Sequence, residues 1–68
     1  MLQITPLERD ALQLLANGKT IHELSSALRL SAYEIGLVLT RLLTIMGTTT
    51  HQEAIALARK RGLLLPEA

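Results

Sequence analysis

The chain has 68 residues, a formal net charge of +1 and no cysteine. This length corresponds to one small domain, residues 1–68, near the lower limit at which a single core supports folding without disulfides or metals. The lack of cysteine excludes disulfides and thiolate metal sites. The nearly balanced charge neither supports nor excludes nucleic-acid binding.

Hydrophobic residues make up 49% of the chain, and Tyr33 is its only aromatic residue. A core of slim aliphatic side chains in so short a chain is thin, so we expect further apolar area to be buried in a dimer or against a partner. The N-terminal segment has no positively charged leader, and no apolar run approaches the roughly 18 residues that span a bilayer. We therefore expect a soluble, cytoplasmic protein that does not associate with membranes.

Four segments carry the same helix-start signal: "TPLE", "TIHE", "SAYE" and "THQE". Each is a capping box, in which a Ser or Thr hydroxyl and a Glu carboxylate three residues later satisfy free backbone N–H groups. The predicted N-caps are Thr5, Thr20, Ser31 and Thr50. The chain shows no strand-like alternation. The sequence therefore predicts an all-α fold with helices at about 6–17, 21–28, 32–46 and 51–61.

The first helix has Pro6 at a first position that suits its fixed φ, and Gly18 follows its end. The second helix ends near Leu28, and residues 29–31 form a connection of the length used in a helix-turn-helix motif. This is the only helix boundary without a glycine. A bundle of three or four helices without a DNA-binding role would also show amphipathic, capped helices, so these signals alone favour DNA binding only weakly.

The third helix has two faces of different character. The predicted core face carries aliphatic side chains every three or four residues, with Val38 and Leu43 flanking it: Ile35, Leu39, Leu42 and Met46. The opposite face carries Tyr33, Leu37, Thr40, Arg41 and Thr44. Gly36 costs about 1 kcal/mol relative to Ala within a helix, a cost that a close approach of another backbone or helix would explain. Gly47 follows the end of this helix.

The fourth helix contains the small-residue segment "AIALA", which would let another helix approach closely. Arg59, Lys60 and Arg61 lie at its end, where cations complement the helix dipole. A solvated face explains this basic cluster better than a phosphate-binding patch. Gly62 then follows the helix.

In this order, these motifs resemble the LuxR-type helix-turn-helix domain, a tetrahelical module of bacterial regulators. The resemblance covers about residues 4–64. "ITPLERDALQLLANGKT" is similar to the opening L-T-x-R-E-x-E-V-L and the following L-x-A-x-G-x-T of that family, and "HELSSALRLS" is similar to K-E-I-A-x-x-L-x-I-S. "LTIMGTTTHQEAIALARKRGLL" resembles K-L-G-V-x-x-R-x-E-A-V-x-x-A-x-x-x-G-L-L and fits LuxR-type domains better than promoter-binding sigma-factor regions.

The resemblance implies that the third helix binds double-stranded DNA in the major groove, usually within a dimer formed by the fourth helix. On the outward face, Arg41 would contact guanine, and Thr40 or Leu37 would meet a thymine methyl group beside Tyr33. The predicted DNA-backbone contacts are Lys19, Thr20, Arg29 and Ser31. With no receiver or small-molecule ligand domain, control would come from expression or from a partner.

Several positions depart from the family pattern. Where its third helix has polar Thr, Lys and His, this chain has Glu34, Gly36 and Val38. Loss of typical phosphate contacts lowers sequence-independent affinity, and Glu34 could face phosphate. The alternative hypothesis is a protein-interaction module that pairs with or antagonises a related regulator. The predicted interface for a homodimer or heterodimer comprises Val38, Ile45, Ile55, Ala56 and Arg59.

An enzyme is the remote third hypothesis. The sequence has no nucleophile paired with a base and no phosphate-binding glycine loop, and it is too short to enclose a pocket. His22 and His51 open two different helices and are surface residues more readily than metal ligands. We therefore predict no catalytic residue, no metal and no cofactor.

Overall fold

The computed structural model describes residues 4–65, which form four α-helices and contain no strand. The helices are α1 (Pro6–Ala16), α2 (Ile21–Leu28), α3 (Ala32–Met46) and α4 (His51–Lys60). The predicted helices 6–17 and 51–61 each extend one residue beyond the observed ends of α1 and α4. Asn17 and Arg61 leave the helical conformation, with ψ of 4° and 3°.

All four predicted capping boxes are formed. In α1, the Thr5 backbone N–H donates to Glu8 Oε1 at 2.9 Å, and the Glu8 N–H donates to Thr5 Oγ1 at 3.1 Å. α2 and α3 repeat these contacts with the same distances. In α4, the Thr49 hydroxyl also donates to Glu53 Oε1, at 2.6 Å. Local hydrogen bonds thus fix where each helix begins.

The helix ends need left-handed residues, and three of them are glycines as predicted. Gly18, Gly47 and Gly62 have φ values of 84°, 67° and 70°. At the end of α2 the same role falls to Arg29, with φ of 57°. A left-handed conformation costs a residue with a Cβ atom roughly 1–2 kcal/mol. The turn is held by the Leu30 N–H, which donates to the Ser25 carbonyl at 3.1 Å, and by the Ser25 hydroxyl, which donates to the Leu30 carbonyl.

The core lies between α1 and α3, which each pack against the other three helices. α2 and α4 do not pack against each other within residues 4–65. The core contains nine buried hydrophobic residues: Ala11, Leu12, Leu24, Ile35, Leu39, Leu42, Met46, Ala54 and Ala58. Leu28 and Leu30, at the end of α2 and in the following connection, are partly buried against it. The central position of α3 explains why it supplies four of these nine side chains.

The segment after α4 turns back against α1. The Gln13 side-chain amide donates to the Leu65 carbonyl at 3.1 Å, and the Leu65 N–H donates to Gln13 Oε1 at 2.8 Å. Leu63 and Leu64 pack against the core, whereas Leu65 is exposed. No helix within residues 4–65 is long and apolar enough to cross a membrane.

Candidate nucleic-acid interface

α3 has the two predicted faces. Ile35, Leu39, Leu42 and Met46 are buried, and the flanking Val38 and Leu43 are partly buried. The opposite face carries five exposed side chains: Tyr33, Leu37, Thr40, Arg41 and Thr44. We call these five residues the outer face of α3. Successive members lie about one helical turn apart or are adjacent along the chain, so they form one surface. The proposed base-contacting residues therefore share this surface.

Arg41 is the one cation on the outer face, and it also contacts α1. Its Nε atom lies 3.6 Å from Glu8 Oε2. The Glu8 side chain is only 5% exposed, whereas the Arg41 side chain is 76% exposed. The pair therefore joins a buried carboxylate to a guanidinium that remains largely in solvent. At 3.6 Å the contact is an ion pair and not a hydrogen bond.

The sequence prediction assigned Glu8 only a capping role and missed this contact. A helical wheel could have indicated its burial, because Glu8 lies on the same α1 face as Ala11, Leu12 and Leu15. No sequence signal identifies Arg41 as its partner, since the two residues lie on different helices. The contact depends on how α1 packs against α3.

Both residues of this ion pair line a groove of about 420 Å³. It is lined by the start of α1 and the middle of α3, with these residues: Thr5, Leu7, Glu8, Leu37, Val38 and Arg41. Leu7 and Leu37 are exposed apolar residues, 39% and 54% accessible. The outer face of α3 thus continues into an apolar surface on one side.

Glu34 is exposed and forms the capping box at the start of α3. Its Oε1 atom accepts a hydrogen bond from the Ser31 N–H at 2.9 Å, so the carboxylate folds back over the start of α3. Backbone and side-chain hydrogen bonds with Ser31 hold the pKa of Glu34 below its usual 4.5. The start of α3, where a phosphate could bind to free N–H groups, is therefore partly occupied by the chain's own carboxylate.

The predicted backbone-contacting residues lie before α2 and α3. Lys19, Thr20, Arg29 and Ser31 are all exposed. The Thr20 and Ser31 hydroxyl oxygens accept hydrogen bonds from the N–H groups of Glu23 and Glu34, both at 3.1 Å. Their hydroxyl hydrogens remain available to donate, because each hydroxyl carries one donor besides its acceptor lone pairs.

Lys19 also lines a groove between α1 and α2. The other lining residues are Leu14, His22, Glu23, Ser26 and Ala27. Lys19 is one cause of the lowered pKa of Glu23, after the hydrogen bonds from Thr20. Lys19 and Glu23 thus line the same groove.

The predicted partner-interface residues are distributed over two helices. Val38 and Ile45 lie on α3 and are partly buried. On α4, Ile55 is partly buried against the core, whereas Ala56 and Arg59 are exposed.

The small residues of α4 and α3 have different surroundings. Ala54 and Ala58 are buried in the chain's own core, so part of the small-residue segment of α4 serves packing within the fold. Gly36 is exposed, and a Cβ atom built there would meet nothing within 4 Å. The close approach that the sequence suggested at Gly36 is therefore not present within the described part of the chain.

Residues 4–65 contain no cluster of three His, Asp or Glu side chains that could hold a metal ion. His22 and His51 are both exposed. The sequence matches no protein-family model, and no curated protein or solved structure is significantly similar to it. The structure thus establishes a four-helix all-α domain, and the LuxR-type resemblance remains a prediction.

Proposed function

We propose that the chain is a small transcription regulator of the LuxR helix-turn-helix type, which binds double-stranded DNA through the outer face of α3. The observation that carries this proposal is the exposure of that entire face on a helix whose opposite face anchors the core. α2, the connection at residues 29–31 and α3 would form the helix-turn-helix motif.

Each outer-face residue has a role that fits its chemistry. Arg41 would donate to guanine O6 and N7, which form the acceptor pair that guanine presents in the major groove. Thr40 and Leu37 would contact a thymine methyl group, and Tyr33 would lie over the neighbouring bases. Lys19, Thr20, Arg29 and Ser31 would bind phosphates and fix the position of α3 on the duplex.

A second copy would complete the recognition surface. α3 has 15 residues and is about 22 Å long, so a single copy can read only a few base pairs. Helix-turn-helix dimers place two such helices about 34 Å apart on a palindromic site. Through the LuxR-type resemblance we assign the dimer contact to α4, with Ile55, Ala56 and Arg59. The regulator would act in the cytoplasm, without a cofactor, a metal or a catalytic step.

A salt titration tests DNA binding directly. Fluorescence anisotropy of the protein with labelled genomic DNA fragments, at increasing salt, should show affinity that falls as salt rises. Each lost phosphate contact should reduce the slope of log K against log salt by about 0.9. Lys19→Gln should therefore reduce the magnitude of this slope by about 0.9, the effect of one lost contact. Failure of the wild type to bind at low salt would refute the proposal.

Arg29→Gly separates binding from folding. Glycine accepts the left-handed conformation without the Cβ penalty, so this variant should unfold at the same temperature as the wild type or higher. It lacks the proposed phosphate contact and should bind DNA more weakly with a smaller salt slope. A variant that is equally stable and binds DNA as the wild type does would remove Arg29 from the interface.

A protein-interaction module is the second candidate function. Leu7, Leu37 and Val38 line the groove together with Arg41. These residues favour protein binding, because apolar residues around one arginine are common at protein interfaces. In this case the outer face of α3 would bind a related regulator, and DNA affinity would be weak at every salt concentration. Leu37→Glu would then abolish partner binding, measured by analytical ultracentrifugation with the related regulator.

A further inference from the structure

We infer that Glu8 is a positioning residue for base recognition: it holds the Arg41 guanidinium by its Nε side, leaving the terminal amino groups to contact guanine. This inference rests on the proposed DNA-binding function and assigns a specificity-determining role to a residue outside α3.

The first observation is the contrast among the four capping-box glutamates. Glu23, Glu34 and Glu53 are exposed, whereas Glu8 is the one buried charged residue within the described chain. A buried carboxylate is costly unless it has partners. A capping role alone requires no burial, since the three exposed glutamates form the same box.

The second observation is that the two carboxylate oxygens of Glu8 have different partners. Glu8 Oε1 accepts from the Thr5 N–H at 2.9 Å and caps α1. Glu8 Oε2 lies 3.6 Å from Arg41 Nε. One oxygen therefore fixes the carboxylate to the start of α1, and the other attracts the guanidinium on α3.

The third observation is the exposure of Arg41 despite this contact. Its side chain is 76% accessible, and within residues 4–65 its guanidinium forms the ion pair with Glu8 but donates no hydrogen bond. Arginine has five N–H donors in a rigid fork. With Nε directed toward Glu8, the two terminal amino groups remain free, and two parallel donors match guanine O6 and N7.

Positioning would matter because a free arginine side chain samples many rotamers. Ordering one such side chain on binding costs about 0.5–1.5 kcal/mol, which corresponds to a roughly 2- to 10-fold effect on affinity. An ion pair already formed in the free protein reduces this cost. Glu8 would thus increase affinity for guanine-containing sites without touching the DNA.

The test compares matched glutamate variants on selected DNA. The wild type first selects duplexes from a random-sequence pool. Wild type, Glu8→Gln, Glu34→Gln and Arg41→Gln are then titrated with the selected duplex and with copies in which each guanine is changed to adenine. Glutamine keeps a capping box, so folding should persist in the Glu8 variant, and thermal unfolding checks it.

The two glutamate variants remove the same charge, but only Glu8 contacts Arg41. Loss of a carboxylate near DNA should raise affinity for all duplexes, and Glu34→Gln should do so without changing discrimination. Glu8→Gln should lower discrimination against one guanine-to-adenine change by roughly 2- to 10-fold. Arg41→Gln should abolish discrimination at that same position.

NMR relaxation of the Arg41 Nε–H group supplies a readout without DNA. Its order parameter should fall in Glu8→Gln and stay unchanged in Glu34→Gln. Equal mobility of Arg41 in wild type and Glu8→Gln, or unchanged discrimination by a DNA-binding Glu8→Gln variant, would overturn the inference alone. Absence of DNA binding by the wild type would instead overturn the proposed function, and this inference with it.

Discussion

The two faces of α3 are subject to different constraints. The inner face is fixed by packing, because its four aliphatic side chains fill the space between the other helices. The outer face makes almost no contact that folding requires: Tyr33 is 76% and Leu37 is 54% exposed. The residues of the inner face therefore determine the stability of the fold, whereas the residues of the outer face are available to bind a partner.

The largest expected contrast comes from alanine substitutions on the two faces. Leu42→Ala removes a fully buried side chain and should destabilise the fold by about 2–5 kcal/mol. A chain of this size has only roughly 3–10 kcal/mol of total stability, so this variant should be partly or fully unfolded. Thr40→Ala on the outer face should change stability by less than about 0.5 kcal/mol. Chemical denaturation of both variants measures the contrast, and similar losses would contradict the division into two faces.

Thr48 lies in the connection between α3 and α4, two residues beyond the end of α3. Its Oγ1 atom is buried and has no hydrogen-bond partner among the described residues. An unsatisfied buried hydroxyl costs about 1–3 kcal/mol, so Thr48→Val should raise the free energy of unfolding by about 1–2 kcal/mol. Thr49→Val is the control, because the exposed Thr49 hydroxyl donates to Glu53. The prediction fails if Thr48→Val is no more stable than the wild type.

Gly36 is an exposed residue of α3 that precedes Leu37 of the outer face. A substitution at this position can separate stability from DNA binding. An added methyl group meets no neighbouring atom, so Gly36→Ala should stabilise α3 by about 1 kcal/mol. If DNA approaches the α3 backbone closely at this position, the same variant will bind DNA more weakly although it is more stable. Denaturation and anisotropy on one preparation measure both effects, and a loss of stability would show that the helix is more crowded here than the structure indicates.

The smallest effect concerns the helix starts at low pH. Hydrogen bonds hold the pKa values of Glu23, Glu34 and Glu53 below 4.5. Their stabilising contribution is present above the pKa of the unfolded carboxylates, near 4.5, and is lost as pH falls through the lower pKa values of the folded state. Thermal unfolding between pH 7 and pH 2 should show this loss.

A variant with Gln at all three positions is the control for this pH effect. It keeps side chains that can form the boxes but cannot titrate, so its unfolding temperature should depend less on pH than that of the wild type. Parallel curves for the two proteins would show that these carboxylates do not contribute.

Much of the fold could be predicted because its signals are local. A capping box needs only the residues from Ser31 to Glu34, for example, so four consecutive residues are enough to predict the start of α3. The inner face of α3 follows from helical periodicity in the same way. Gly18, Gly47 and Gly62 marked helix ends because they tolerate positive φ.

Two of the features that escaped prediction depend on contacts between distant segments, and one is a local backbone conformation. The local conformation is that of Arg29, which is left-handed although arginine rarely adopts positive φ. The Glu8–Arg41 pair requires the packing of α1 on α3, and the Gln13–Leu65 hydrogen bonds join residues 52 positions apart.

The most direct test of the DNA-binding proposal is NMR mapping of the protein with and without a selected DNA duplex. Binding through the outer face of α3 predicts the largest shifts at Tyr33, Leu37, Thr40 and Arg41, with smaller shifts at Lys19 and Arg29. The buried Leu39 and Leu42 methyl groups should change little. Shifts confined to α4, or none at all at low salt, would contradict the proposal.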